Sequence, residues 1–125
     1  MSKLPENVLQ AWENREGAAV LATVDKDGLP NIIYVTCVGM HGNQRFVIAD
    51  NYFCKTRINL LAGSKGALLF CDKAGKAYQI KGSLEYHTDG EVYESMKSWN
   101  PTRHPGHAAA ALVVEQVFCG AEQLH

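Results

Sequence analysis

Residues 45–61 read RFVIADNYFCKTRINLL, and their interpretation decides the fold. Arg45–Ala49 is a short run of strand-forming residues. A polar break follows at Asp50-Asn51, and Cys54–Leu61 then takes up helical spacing, with Ile58 and Leu61 on one face and Gly63 behind them as a C-terminal stop. A strand that hands the chain to a short helix leaves free backbone N–H groups at the helix start. Lys55, the Thr56 hydroxyl and Arg57 stand beside them, and together these are the donors a phosphate monoester requires. Basic residues near a helix start are also common on solvated surfaces, so the local pattern leaves both readings open.

Upstream, Leu4, Val8, Leu9 and Trp12 recur at helical spacing with Pro5 in the first turn, which predicts a helix over about residues 5–15 that stops at Gly17. The period then shortens. Ala18–Val24, a turn at Asp25-Lys26-Asp27-Gly28 and Asn31–Val38 form a hairpin pattern, and His41–Gln44 turns the chain into Arg45–Ala49. Downstream, Gly66–Asp72 is a continuous apolar run, expected to be covered on both faces. Ala77–His87 alternates around Gly82, which in mid-strand marks a bulge or bend. Thr88 and Glu91 stand at capping-box spacing before a helix whose buried stripe is Val92, Met96 and Trp99. Asn100–His107, with two prolines and a glycine, is a loop, and Ala108–Cys119 is a last strand.

The sum is a mainly β chain with short helices: six antiparallel strands, joined by tight turns, that favour a closed or partly closed barrel over a doubly wound sheet. At 125 residues, with no linker or repeat, the whole chain 1–125 reads as one domain. A chain of this size gains stability when a second copy covers an apolar face. Twelve Lys and Arg against thirteen Asp and Glu, with no block of one sign, argue against nucleic acid. No signal peptide and no run of about 18 apolar residues is present, which points to the cytoplasm and away from a membrane. Cys37, Cys54, Cys71 and Cys119 lack metal-site spacing and are expected reduced, all but Cys54 as small core residues. His104 and His107 are three apart, but the prolines around them count against a metal site.

The succession DKDGLPNIIYV, RFVIADNYFCKTRINL, GALLF and YQIKGSLEYHTDGEVYE resembles the pyridoxamine 5'-phosphate oxidase-like family of FMN-binding split barrels, over about residues 8–120, and the length is similar to that of its small bacterial FMN-binding proteins. The resemblance implies that Lys55 and Thr56 hold the phosphate of FMN, with Asn51, Tyr52 and Asn59 close by. It lays the flavin ring along two strands, on one side Asn31, Ile33, Tyr34, Val35 and Thr36, on the other Val47, Ile48, Ala49 and Asp50. It also brings Gln79 of the fifth strand toward the ring and Trp99, with Arg103, His104 or His107, across a homodimer interface. An aliphatic slot of Ile33, Val35 and Val47 suits the neutral ring on physical grounds.

Two departures bear on chemistry. Cys54-Lys55-Thr56 stands where many members have Ser-Arg-Lys, so Cys54 is either a plain replacement for serine or a thiol activated by nearby cations. The chain ends just after the sixth strand, where vitamin-B6 oxidases continue into an Arg- and Leu-containing segment, which counts against that activity itself. The expectation is therefore an FMN-dependent oxidoreductase with a small-molecule or protein redox partner. The alternatives are a non-catalytic FMN-binding electron carrier and a haem- or deazaflavin-binding relative.

Overall fold

The computed structural model describes residues 4–125. Helix α1 spans Glu6–Glu13 and buries Val8 and Trp12 of the expected face together with Ala11, while Leu9 is half-buried. It ends earlier than Gly17. Asn14 caps it, and Gly17 falls inside strand β1 (Arg15–Val24), in a left-handed conformation at φ 75° where the pairing register slips.

The remaining strands are β2 (Pro30–Val35), β3 (Val38–His41), β4 (Arg45–Asp50), β5 (Lys65–Asp72), β6 (Ala77–His87), β7 (Ala108–Cys119) and the two-residue β8 (Glu122–Gln123). Helix α2 (Lys55–Leu61) follows β4 and α3 (Gly90–Trp99) follows β6. All pairings are antiparallel, in the order β2-β1-β5-β6-β7-β4-β3 with β8 on β7. The strand expected over 31–38 is two strands, broken at Thr36-Cys37, and with the short β8 the described residues form eight strands and not six. The break closes the barrel. β2 and β3 are the opposite edges of the sheet, yet only two residues separate them, so the sheet must curl until its edges meet at residues 36–37. The chain itself bridges that split, and the Ala49 N–H, donating to the Cys37 carbonyl at 3.0 Å, extends the β3–β4 ladder up to it.

Alternation divides the core. Phe46 and Ile48 point into the barrel with Trp12, Phe70, Tyr78, Ala110 and Leu112, while Val47 and Ala49 point out against Ala109, Ala111, Val92 and Met96 beneath α3. Trp12 meets Phe46 and Phe70 edge-on, at centroid distances of 4.9 and 5.0 Å. Gly82 sits where β6 and β7 shift register, and a Cβ there would stand 1.8 Å from the Val113 carbonyl oxygen, so the predicted bend is built on a true requirement for glycine.

Three local expectations are corrected. β5 is covered on one face only, with Leu69 exposed. α3 is capped at Asp89 with no side-chain cap bond, because the helix starts one residue beyond the Thr88 box. Cys71 is exposed and Cys37 and Cys119 are half-buried, so none of these three is a sealed core residue.

Candidate functional site

The loop between β4 and α2 is built around Asp50, whose side chain is fully buried. Its carboxylate accepts from the Phe53 N–H at 3.0 Å, from Arg57 Nε at 2.7 Å and Nη2 at 3.0 Å, and from the Tyr86 hydroxyl. Burial pushes the Asp50 carboxyl up, but the bonds from Arg57, Tyr86 and the Phe53 N–H outweigh it and hold the group below its ordinary range. Burial and the Asp50 charge raise the Tyr86 hydroxyl, which keeps it a donor, and Asp50 raises the Arg57 guanidinium. Asn51 and Asn100 exchange two amide bonds at 3.1 and 2.9 Å, and the Gly106 N–H adds a third at 2.9 Å. The His107 N–H donates to the Asp50 carbonyl at 2.8 Å. The loop over residues 100–107 is thereby pinned to residues 50–51.

A second polar cluster fixes α2. Asn31 Nδ2 donates to Thr23 at 3.1 Å and to Thr56 at 2.9 Å, and Asn59 Nδ2 donates to Thr23 at 2.9 Å. Thr56, Asn59 and Leu60 are therefore the buried face of α2, whereas Ile58 and Leu61 are 65% and 68% exposed, the reverse of the face their hydropathy predicts. Four satisfied side-chain hydrogen bonders occupy the interior in place of the two aliphatic residues.

Between these two scaffolds, where the edges of the split barrel meet, lies a cavity of about 330 Å³. It brings together nine of the residues singled out from the sequence: Ile33, Tyr34, Val35 and Thr36 from the end of β2, Ile48 and Ala49 from β4, and Asn51, Tyr52 and Lys55 from the loop and helix start. Asn31 and Thr56 stand just behind, bonded to each other. The structure does not bring Val47, Asp50, Gln79, Trp99, Arg103 or His107 to the cavity. Val47 packs beneath α3, Asp50 is taken up by Arg57 and Tyr86, and Gln79 lies on β6 between Leu69 and Phe118. The Trp99 indole covers Gly39, where a Cβ would be 3.0 Å from the ring. Arg57 is likewise occupied by Asp50, which leaves Lys55 as the cation lining the cavity among the described residues.

Cys37, Phe53, Cys54 and His104 complete the lining. Cys37 carried no signal in the sequence, because the break after Val35 contains neither glycine nor proline. His104 Nδ1 lies 3.1 Å from the Tyr52 hydroxyl, with the rings edge-on at 5.5 Å. The arrangement offers an aliphatic slot, two aromatic edges and one positive charge at the rim, which suits a flat, mostly apolar ring joined to an anionic group.

A sequence model of the pyridoxamine 5'-phosphate oxidase family matches residues 5–118. An uncharacterized protein of Methanocaldococcus jannaschii, MJ0282, is 31% identical over 119 residues, 90% of this chain and 78% of that protein. The pyridoxine/pyridoxamine 5'-phosphate oxidase of Rhizobium leguminosarum is 35% identical over 80 residues, 63% of this chain, and the match spans only 38% of that enzyme. Among solved structures, HupZ of Group A Streptococcus superposes with a TM-score of 0.82 at 27% identity over 98% of both chains. More distant structures share the fold alone at 15–22% identity: an FMN-binding protein of Syntrophomonas wolfei, an F420 reductase and a haem-binding protein of Mycobacterium smegmatis. On the span of the family match and the split-barrel architecture, the chain belongs to the pyridoxamine 5'-phosphate oxidase family.

Proposed function

We propose that this protein binds FMN in the cavity between β2 and β4 and acts as an FMN-dependent oxidoreductase, with a small molecule or another protein as redox partner. The observation that carries the reading is the joining of an aliphatic slot to a single exposed cation: Ile33, Val35 and Ile48 line the cavity, and Lys55 stands at its rim. These residues fit the group. The slot would hold the isoalloxazine ring, and Lys55 with the backbone N–H groups beside it would hold the phosphate. Thr56 supports this from behind, since its hydroxyl is buried and bonded to Asn31. Bound FMN supplies hydride or single-electron transfer, while the chain's own part is to orient the ring and limit water around it.

The working form in this reading is a homodimer. Tyr34, Val20 and Leu69 lie side by side across β2, β1 and β5, with Ile32 on the same face as Tyr34. Tyr34 is 81%, Ile32 69% and Leu69 41% exposed, a patch of a kind that monomers rarely leave open. Tyr34 also lines the cavity, so a second copy seated on the patch would cover the open side of the flavin site. Four cysteines free of disulfides suit a reducing compartment such as the cytoplasm.

One observation favours a second reading, an electron carrier without an organic substrate: no carboxylate lines the cavity among the described residues. An absorption spectrum of the freshly purified protein tests both at their root. Flavin bands that respond reversibly to reduction support the proposal, and turnover of a nicotinamide donor with an added acceptor separates enzyme from carrier. A haem or deazaflavin spectrum would contradict it.

A further inference from the structure

His104 comes to the cavity from the loop between α3 and β7, remote in sequence from the rest of the lining. That loop is clamped on both sides of it. The Asn100 amide pairs with Asn51, the Gly106 N–H donates to the Asn51 side chain, and the His107 N–H donates to the Asp50 carbonyl. Within the loop the His104 N–H donates to the Pro101 carbonyl at 3.0 Å. The imidazole is fixed in turn, with Nδ1 3.1 Å from the Tyr52 hydroxyl and the two rings edge-on. One ring nitrogen is thus held by the cavity wall, while Nε2 has no protein partner among the described residues. No carboxylate lines the cavity among those residues, and Lys55 is taken by the phosphate in the flavin reading. Imidazole exchanges protons readily near neutral pH, which leaves His104 as the acid–base group of the site.

We infer that His104 is the catalytic proton donor of this cavity, with Tyr52 as its positioning residue, and that the redox partner is an uncharged conjugated carbonyl compound. The inference rests on the reading of the cavity as a flavin site. An electron carrier has no use for an oriented proton donor, whereas a carbonyl compound that accepts hydride needs a proton on its oxygen. The balance is as follows: the reduced flavin anion, formed at the expense of a nicotinamide donor, gives up hydride and is left oxidised and neutral. The hydride adds to one end of the conjugated system, the π bond there breaks, and its electron pair moves to the carbonyl oxygen. Protonated His104 gives that oxygen its Nε2 proton. Its Nδ1–H stays bonded to the Tyr52 hydroxyl oxygen, so the ring ends neutral and regains the proton from water. A donor that meets the oxyanion as it forms accelerates such a step about a hundredfold or more. The aliphatic slot suits a flat, uncharged acceptor.

The test uses the full chain loaded with FMN, reduced with dithionite and freed of excess reductant without air. Stopped-flow mixing follows its reoxidation by menadione, a neutral conjugated carbonyl compound, and by ferricyanide, which takes electrons and no proton. His104→Gln should slow the menadione reaction about tenfold or more and change the ferricyanide reaction less than about twofold. Tyr52→Phe should slow menadione alone in the same sense. His104 is half-buried and Tyr52 exposed, and circular dichroism checks the fold of both variants. Calorimetry adds a readout independent of turnover: FMN and riboflavin should bind His104→Gln within about twofold of the parent protein. Equal slowing with both acceptors, or no slowing with menadione, overturns the proton-donor assignment and leaves the flavin reading standing. Loss of FMN affinity with riboflavin affinity kept does the same, since it makes His104 a phosphate ligand. Absence of flavin binding by the parent protein overturns both readings.

Discussion

At the scale of single residues, Asp50 shows how an apparent ligand can be a scaffold. Its place at the end of a ring-lining strand suggested contact with the cofactor, but its oxygens serve Arg57, Tyr86 and the Phe53 N–H and fix the loop that carries Tyr52 and Lys55. The sign of its pH effect follows. A carboxyl whose folded pKa is depressed stabilises the fold above its unfolded value, near 4, and that stability is lost as pH falls from there toward the folded pKa. Glu85 acts in the same sense, held low by its bond from Arg45 and then by His87 against the opposing effect of burial. Urea midpoints measured from pH 7 to pH 2 should therefore fall steeply below about pH 4, and Asp50→Asn should flatten that fall while lowering stability at pH 7. An acid limb identical in the two proteins would show that Asp50 is not held by these bonds. The sequence offered no sign of this role, since Arg57 and Tyr86 reach Asp50 from 7 and 36 residues away.

At the scale of elements, what was legible is what local pattern controls. The α1 face, the hairpins, the helix after β4 and the bulge at Gly82 follow from periodicity and turn residues. Two features were not legible. The break between β2 and β3 is made by Thr36-Cys37, both compatible with strand, so only closure of the sheet reveals it. The buried face of α2 carries Thr56 and Asn59 beside Leu60, because those two bond Asn31 and Thr23, and hydropathy alone would turn Ile58 and Leu61 inward. The bulge supplies a test at this scale. With a Cβ 1.8 Å from the Val113 carbonyl, Gly82→Ala must move the β7 backbone and should cost about 1–3 kcal/mol in chemical denaturation. Unchanged stability would mean that the β6–β7 register does not need glycine there.

At the scale of the whole molecule, the curl of the sheet is what makes the site. It brings the end of β2 beside the end of β4 although they occupy remote places in the strand order, and it leaves the Tyr34–Ile32–Leu69 face open next to the resulting cavity. The residues anticipated on β2, at the end of β4 and in the loop to α2 meet there, with His104 from the loop before β7. Val47 lies one residue too far from the end of β4 to reach the cavity and packs beneath α3 instead, while Asp50 is taken up by Arg57 and Tyr86. If the open face is where a second copy sits, Ile32→Asp should shift sedimentation from dimer to monomer and weaken flavin binding, because the cavity loses its cover. A variant that remains dimeric with unaltered affinity would place the interface elsewhere. The proposed function makes Lys55 the anchor for the phosphate of a flavin whose ring fills the slot of Ile33, Val35 and Ile48. Its most direct test is the affinity of Lys55→Ala for FMN and for riboflavin, which lacks the phosphate. FMN should lose about tenfold or more while riboflavin changes little, and equal losses for the two ligands would contradict the assignment.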